Sequence, residues 1–336
     1  MSIEFVSVVV AVRNEELFIS TLLTSLRVQD FPLEGFEVII VDDHSTDRSH
    51  QIISEWITQN PRIQCSIISS GGHGKKCALT DGIQNTKGEI ILTTDADCVL
   101  PADWISRMVM SFHHNTSMVI GLVKIHQNEH FFSKLQAIEF NSVMGSGIAL
   151  HTLGFAVMCN GASLAFRKKS FEAVQGYQDN LHIPSGDDEF LMRKLLKRFP
   201  DSIQSIQWPS IVATMPQPSL KSFIHQRLRW AGKWKANDSF ETKVLALFIL
   251  TFQISIILAF GLPFTDFQVL FASLLLVKFL LEGYFLFNVS RSLRQNFSVS
   301  AFLILQLTYP FYVIIIGILA QLIDYEWKGR VKSSIG

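Results

Sequence analysis

The sequence predicts an α/β fold, a doubly wound and mostly parallel sheet with a Rossmann-like nucleotide-binding half, followed by C-terminal transmembrane helices. Three observations carry that expectation. Short β-branched runs alternate with amphipathic stretches from Phe5 to about Val123, carboxylates cluster where those runs stop, and the chain turns strongly apolar after Lys243.

The elements follow in order. SVVVAV precedes a helical pattern over 15–28, FEVIIV one over 46–59, IQCSII one over 75–86 and EIILTT one over 102–113, with MVIGLV as a further strand. Strand and helix at this spacing read as βαβ units, whose ligands bind beyond the carboxyl ends of the strands. Between 131 and 230 the pattern is mixed. Phe131, Leu135 and Ile138 share one helical face, ASLAF at 162–166 reads as a strand, and 189–198 reads as a helix. No linker rich in proline, glycine and serine divides these stretches, so 1–242 is expected to be a single cytosolic domain.

Composition narrows the partners. Of 336 residues, 48% are hydrophobic and only 17% charged, which assigns part of the chain to lipid. Basic and acidic side chains number 29 each, so nothing in the overall charge favours nucleic acid as a partner. Cys65, Cys77, Cys98 and Cys159 form no CxxC pair, which argues against a disulfide framework or a structural zinc site. The first ten residues lack the basic region and apolar core of a signal peptide.

Past residue 243 three stretches exceed the ~20 residues that a helix needs to cross a bilayer core. These are 244–265, 267–289 and 297–323, within an expected membrane domain of 243–325 that ends in a short basic tail, 326–336. Lys278 and Glu282 interrupt the second stretch one helical turn apart. They either pair with each other against neighbouring protein or snorkel toward an end. Arg227, Arg229, Lys233 and Lys235 before the first stretch, and Arg291 and Arg294 after the second, place the N-terminal domain on the cytosolic side of a multi-pass protein of a bacterial inner or plasma membrane. Three full spans would then leave Lys328, Arg330 and Lys332 outside, so one segment is a candidate for a re-entrant or interfacial path.

Four motifs carry the chemistry. VDDHSTD ends a buried-looking strand, and Asp42 or Asp43 there can accept from a ribose hydroxyl or a base N–H, while Thr46 or Asp47 can cap the next helix. TTDAD supplies Asp95 and Asp97, two hard oxygen ligands suited to Mg²⁺ or Mn²⁺. GDDEF gathers Asp187, Asp188 and Glu189 at a helix start, where one acid serves as a cap but three exceed that need. In QRLRW, Arg229 can hold a diphosphate and Trp230 can stack on a sugar ring; the same segment also reads as a basic amphipathic helix on anionic lipid, with Trp230 and Trp234 as interfacial anchors. A further turn, GGHG before Lys75 and Lys76, can present backbone N–H groups and an ammonium to phosphate. His73 within it reads as a solvated turn residue rather than a metal ligand.

In this order the motifs resemble family 2 glycosyltransferases, inverting enzymes of GT-A fold. QRLRW matches the QxxRW pattern of the membrane-bound type, as in the cellulose, chitin, hyaluronan and poly-N-acetylglucosamine synthases. The resemblance covers roughly Ser7 to Trp230. It implies that Asp43 binds the base of a nucleotide, that Lys75 lies near the nucleotide or its diphosphate, and that Asp95 and Asp97 hold the metal, Mg²⁺ or Mn²⁺, with Asp95 also on the donor side. Asp188 is then the general base, Gln226 and Arg229 meet the donor diphosphate, and Trp230 meets the acceptor. The implied reaction moves a sugar from a nucleoside-diphosphate sugar, a UDP-sugar, to a hydroxyl of a lipid-linked or saccharide acceptor at the bilayer, in cell-envelope glycan or glycolipid synthesis.

The alternatives are a processive polysaccharide synthase, a nucleotidyltransferase and a non-catalytic membrane scaffold. The large synthases usually carry transmembrane helices before the catalytic domain, which weakens the first. A nucleotidyltransferase has no need of QRLRW or Asp188, and a decayed scaffold has no need to keep Asp43, Asp95, Asp97, Asp188 and Arg229 together.

Overall fold

The computed structural model describes residues 4–323 except 182, 184, 207–208, 233–239 and 261–265, together with 325–328 and 330–332. The chain divides into two compact units, Met1–Lys124 with Gly147–Met215, and Ile125–Ser146 with Pro216–Gly336.

The first unit begins with β1 (Val6–Val12), α1 (Ile19–Arg27), β2 (Phe36–Asp42), α2 (Ser49–Gln59), β3 (Cys65–Ser69), α3 (Lys75–Gln84) and β4 (Ile90–Thr93). It goes on through β5 (Cys98–Val99), α4 (Trp104–Met110), β6 (Met118–Ile120) and β7 (Leu122–Ile125). The helix α5 (Phe131–Thr152) divides its length between the units. After it come β8 (Leu164–Arg167), α6 (Lys168–Ala173), α7 (Asp187–Arg198), β9 (Ile203–Ser205) and β10 (Ile211–Thr214).

Seven strands form one sheet in the order β3-β2-β1-β4-β8-β6-β9. The first four run parallel, joined by right-sized helical crossovers, as the alternating pattern predicts. The ASLAF strand, β8, runs antiparallel to both β4 and β6, so the sheet is mixed beyond β4. Every residue of β2 is buried, which is why its sequence reads as a continuous apolar run rather than an alternation. Of its two acids, Asp42 ends the strand and Glu37 lies inside it, where Glu37 accepts from Ser7 Oγ at 2.7 Å and from Lys87 N at 2.6 Å, so that buried charge is satisfied. Val9, Val41, Leu79, Phe166 and Leu191 belong to the core that covers this sheet. A second, smaller sheet pairs β5 with β10 antiparallel, Thr214 opposite Cys98.

The second unit adds α8 (Leu220–Gly232), α9 (Phe240–Phe260), α10 (Asp266–Ser292), α11 (Val299–Leu322) and a two-stranded ribbon of β11 (Tyr325–Trp327) and β12 (Arg330–Lys332). That ribbon begins at the last residue of the expected membrane domain and runs into the expected basic tail. Two helical segments, Val269–Ser292 and Val299–Leu322, are long and apolar enough to cross a membrane, with mean hydropathy 2.0 and 2.1. Few of their residues are buried, so the apolar surface of Leu270, Leu274, Leu281, Leu307, Phe311 and Ile315 is open within the unit. Water does not tolerate a face of that extent. The α9 apolar stretch, Lys243–Ala259, is shorter, and residues 261–265 of the first expected span lie outside the described residues.

Lys278 and Glu282 do pair. Lys278 Nζ lies 2.7 Å from Glu282 Oε2, and Gln306 of α11 joins them, accepting from Lys278 at 3.0 Å and donating to Glu282 at 2.8 Å. A polar triad shared by two apolar helices satisfies the charges internally, which favours pairing over snorkelling.

Candidate active site

The site is built at the carboxyl ends of β2 and β4 and at the start of α7. Beyond β2, Asp42 Oδ1 accepts from Ser45 N at 3.0 Å and closes a turn, while Asp47 Oδ1 accepts from Ser49 N at 2.9 Å at the start of α2. Asp47, rather than Thr46, therefore meets the first N–H of that helix, while Arg48 occupies the cap position itself. Burial acts against the charge of Asp47, but its hydrogen bonds with Ser49 and the Glu16 N–H prevail and hold its carboxyl below the usual range.

Asp43 is 1% exposed, and both of its carboxylate oxygens lie 3.1 Å from the Gly74 N–H. Gly74 has φ +100°, a region that a side chain would strain, which explains a glycine at the point where the loop turns into α3. Arg13 Nη1, just past the end of β1, donates to the carbonyls of Asp43 at 2.7 Å and His44 at 2.8 Å and fixes this turn. No motif in the sequence signals Arg13.

Lys75, the first residue of α3, is the hub. Its Nζ lies 2.7 Å from Asp95 Oδ1 and 3.0 Å from Asp187 Oδ2, so it joins TTDAD to GDDEF. Burial opposes its charge, yet the carboxylates of Asp187, Asp95 and Asp188 outweigh that and hold its pKa well above the ordinary lysine range. Three carboxylates thus surround one ammonium.

Asp95 and Asp97 sit on a turn after β4, closed by Cys98 N donating to Asp95 O at 3.1 Å. Asp97 Oδ2 accepts from Thr214 Oγ1 at 3.3 Å, and Oδ1 lies 3.8 Å from Cys98 Sγ, which orients that carboxylate from β10 and β5. Burial, with the charges of Asp97 and Asp95, pushes the Cys98 thiol well above its usual range. The donors fit a divalent ion of the Mg²⁺ or Mn²⁺ kind. Both are hard oxygens, Asp95 keeps 37% of its side-chain surface open, and the acidic excess around Lys75 favours an added cation.

At the start of α7 the three acids part company. Asp187 faces Lys75, Glu189 pairs with Arg193 at 2.7 Å, and Asp188 accepts from Gly161 N at 3.0 Å through Oδ2 and from its neighbour Glu189 N at 2.7 Å through Oδ1. Gly161 is a close-approach glycine: a Cβ there would stand 3.0 Å from Asp187 Oδ2 and 3.2 Å from Lys75 Nζ. Gly161 lies 27 residues from Asp188 in a stretch without a motif, so sequence reasoning had no signal for it.

A family model described as glycosyl transferase family 2 matches residues 7–175, a span that contains Asp43, Lys75, Asp95, Asp97 and Gly161. The chain belongs to glycosyl transferase family 2. Among curated relatives of this family 2 chain, the beta-monoglucosyldiacylglycerol synthase of Nostoc sp. is 27% identical over 233 residues, covering 68% of the chain and 49% of the relative. The undecaprenyl-phosphate 4-deoxy-4-formamido-L-arabinose transferase of Edwardsiella ictaluri is 27% identical over 175 residues, 52% of each. The chain spans about half the length of the curated relatives it matches. Among solved structures, the mannosyltransferase PcManGT from Pyrobaculum calidifontis, in complex with GDP-Man and Mn²⁺, matches over 95% of the chain and 87% of its own at 18% identity, with a TM-score of 0.57. That likeness bears on the fold, which is of GT-A type.

The remaining motif, QRLRW, lies on α8 in the second unit. Arg227, the second residue of the motif, is the anchor: its guanidinium forms a two-point pair with Glu139 of α5, Nε to Oε1 at 2.9 Å and Nη2 to Oε2, and is sandwiched by the Phe223 and Trp230 rings at 4.3 and 4.2 Å. Gln226 Oε1 accepts from the same guanidinium, and Tyr312 Oη donates to Glu139 at 3.1 Å. Trp230 also packs on Phe140, ring centroids 6.2 Å apart, and Arg229 is half-buried on the same helix. Trp234, Lys233 and Lys235 lie outside the described residues.

Proposed function

We propose that this family 2 chain is an inverting glycosyltransferase that transfers a sugar from a nucleoside-diphosphate sugar to a hydroxyl of a lipid-linked acceptor at the membrane. The observation that carries the reading is the Lys75 hub, which draws Asp95, Asp187 and Asp188 around one ammonium at the ligand-binding end of the sheet.

Asp43, at the end of β2, receives the base of the nucleotide. Lys75 lies toward the diphosphate and keeps the acidic cluster from repelling an anionic donor. Asp95 and Asp97 would hold Mg²⁺ or Mn²⁺, which neutralises charge on a departing diphosphate. Asp188 takes the proton of the acceptor hydroxyl as that oxygen bonds to the anomeric carbon, while the bond from that carbon to the diphosphate oxygen breaks and the anomeric configuration inverts. The backbone N–H groups of Gly161 and Glu189 orient this carboxylate, and a carboxylate with about four lone-pair sites can accept a further proton donor. By the QxxRW pattern alone, Gln226 and Arg229 are assigned to the diphosphate and Trp230 to the acceptor.

A lipid acceptor in envelope glycolipid synthesis is supported by the relatives named for a glucosyldiacylglycerol and an undecaprenyl phosphate, and by the open apolar surface of α10 and α11. The basic residues flanking the apolar stretches support a multi-pass chain with the domain of 1–242 in the cytosol, and a UDP-sugar is the donor that the family resemblance implies. The test is a screen of radiolabelled nucleotide sugars against membranes that contain the chain, with mass spectrometry of the lipid and polymer fractions. Label in an extractable glycolipid is the expected result. Label only in a long polymer would favour a processive synthase, and formation of a sugar nucleotide from a nucleoside triphosphate would replace the reading with a nucleotidyltransferase.

A further inference from the structure

His73 is exposed, as its reading as a solvated turn residue expects, and the fold brings its ring beside that of His44, just past the end of β2. The His44 and His73 rings lie 4.5 Å apart between centroids, tilted by 49°. One ligand atom from each of Asp43, His44 and His73 falls within 4.8 Å of the others. Donors at ~2.1 Å from a tetrahedral ion are about 3.4 Å apart, so the widest pair has to close by at most about 1.4 Å to complete the set.

The arrangement is built rather than incidental. Gly74 N donates to both oxygens of Asp43, which ties the residue after His73 to the residue before His44. Arg13 holds the carbonyls of Asp43 and His44, and His44 sits in the left-handed region at φ 56°, a conformation that only a fixed turn maintains. His44 Nε2 donates to the Gly72 carbonyl at 3.0 Å, which fixes the tautomer and orientation of its ring; that is the bond commonly made by the other nitrogen of a metal-bound imidazole.

We propose that Asp43, His44 and His73 form a second cation site, separate from Asp95 and Asp97, for a divalent ion of the Zn²⁺ class. Two imidazoles and one carboxylate are the donor set of a borderline ion rather than of Mg²⁺, whose preference is for oxygen. Three protein donors leave a position for water or an exogenous ligand. One consequence rests on the reading of Asp43 as the receptor of the base: an ion on that carboxylate excludes the nucleotide, so Zn²⁺ inhibits by competition with the donor.

The experiment uses the untagged full chain in detergent, stripped of metal, titrated with Co²⁺ followed by visible absorption and then with Zn²⁺ in competition. One histidine-dependent ion per chain is expected with an imidazole-type spectrum, beside any ion held by Asp95 and Asp97, and His44→Gln and His73→Gln should each weaken binding of that ion roughly tenfold or more with melting temperature unchanged. Asp95→Asn should leave this binding in place. Binding indifferent to both histidine substitutions would overturn the site. A nucleotide arm separates the two readings: histidine-dependent Zn²⁺ binding that does not compete with UDP upholds the cation site and removes Asp43 from the nucleotide.

Discussion

Lys75 Nζ stands 2.7 Å from Asp95 Oδ1, and this pair links the first residue of α3 to the turn after β4. Because the folded pKa of Lys75 is raised, its contribution to stability is complete below the ordinary lysine value of about 10.4 and is lost only as pH rises through the folded value. The difference in melting temperature between the wild-type chain and Lys75→Met should therefore stay constant from about pH 7 to 9 and change only in stronger alkali. A difference that vanishes within that neutral window would mean that Lys75 is not held as a cation. Turnover of Lys75→Met should fall by roughly 100-fold, the scale of losing one preorganised charged group.

Gly161→Ala tests how closely the backbone must approach the cluster. The added methyl would meet Asp187 Oδ2 and Lys75 Nζ at 3.0 and 3.2 Å, so either the salt bridge or the Gly161 N–H to Asp188 bond has to shift. A fall in kcat of about tenfold is expected, with stability lowered by about 1 kcal/mol. Steady-state kinetics and thermal melts on the same preparation measure both.

Arg227 and Glu139 are 4% and 6% exposed, so the pair is buried. Arg227→Met leaves an uncompensated carboxylate and should cost about 3–5 kcal/mol of stability, whereas Arg227→Met combined with Glu139→Leu should recover much of that loss. Denaturant melts in detergent compare the two variants. If the double variant is no more stable than the single one, the pair is not what holds α8 to α5.

Chelation should abolish transfer, and Mn²⁺ or Mg²⁺ should restore it. Asp95→Asn should raise the metal concentration needed for half-maximal activity. Full activity in excess chelator would remove the ion from the mechanism.

Much of this site was legible in the sequence because its parts end parallel strands, where apolar runs give way abruptly to charge. The β2 run into Asp43 and the β4 run into Asp95 could be read that way, and the turn closed by Asp95 and Cys98 follows that second run directly. The direction of β8 was not legible, since an apolar strand buried on both faces reads the same whether it pairs parallel or antiparallel. Nor were Arg13 and Gly161, which act through backbone carbonyls and a backbone N–H far away in the chain. In QRLRW a buried ion pair is made by Arg227, which the motif leaves variable; its partner Glu139 comes from a helix with no motif at all. Ion pairs between distant helices leave no periodic trace.

The general-base role of Asp188 is the centre of the proposed chemistry, and one comparison tests it most directly: nucleotide affinity, melting temperature and turnover of Asp188→Asn beside the wild type. The amide keeps the size of the side chain and one carbonyl oxygen to accept from Gly161 or Glu189, but it cannot take a proton from the acceptor. Turnover should fall by ~10²–10⁴-fold while nucleotide affinity and folding persist. Near-normal turnover, with a loss of only about 1 kcal/mol in stability, would make Asp188 a helix cap and contradict the assignment.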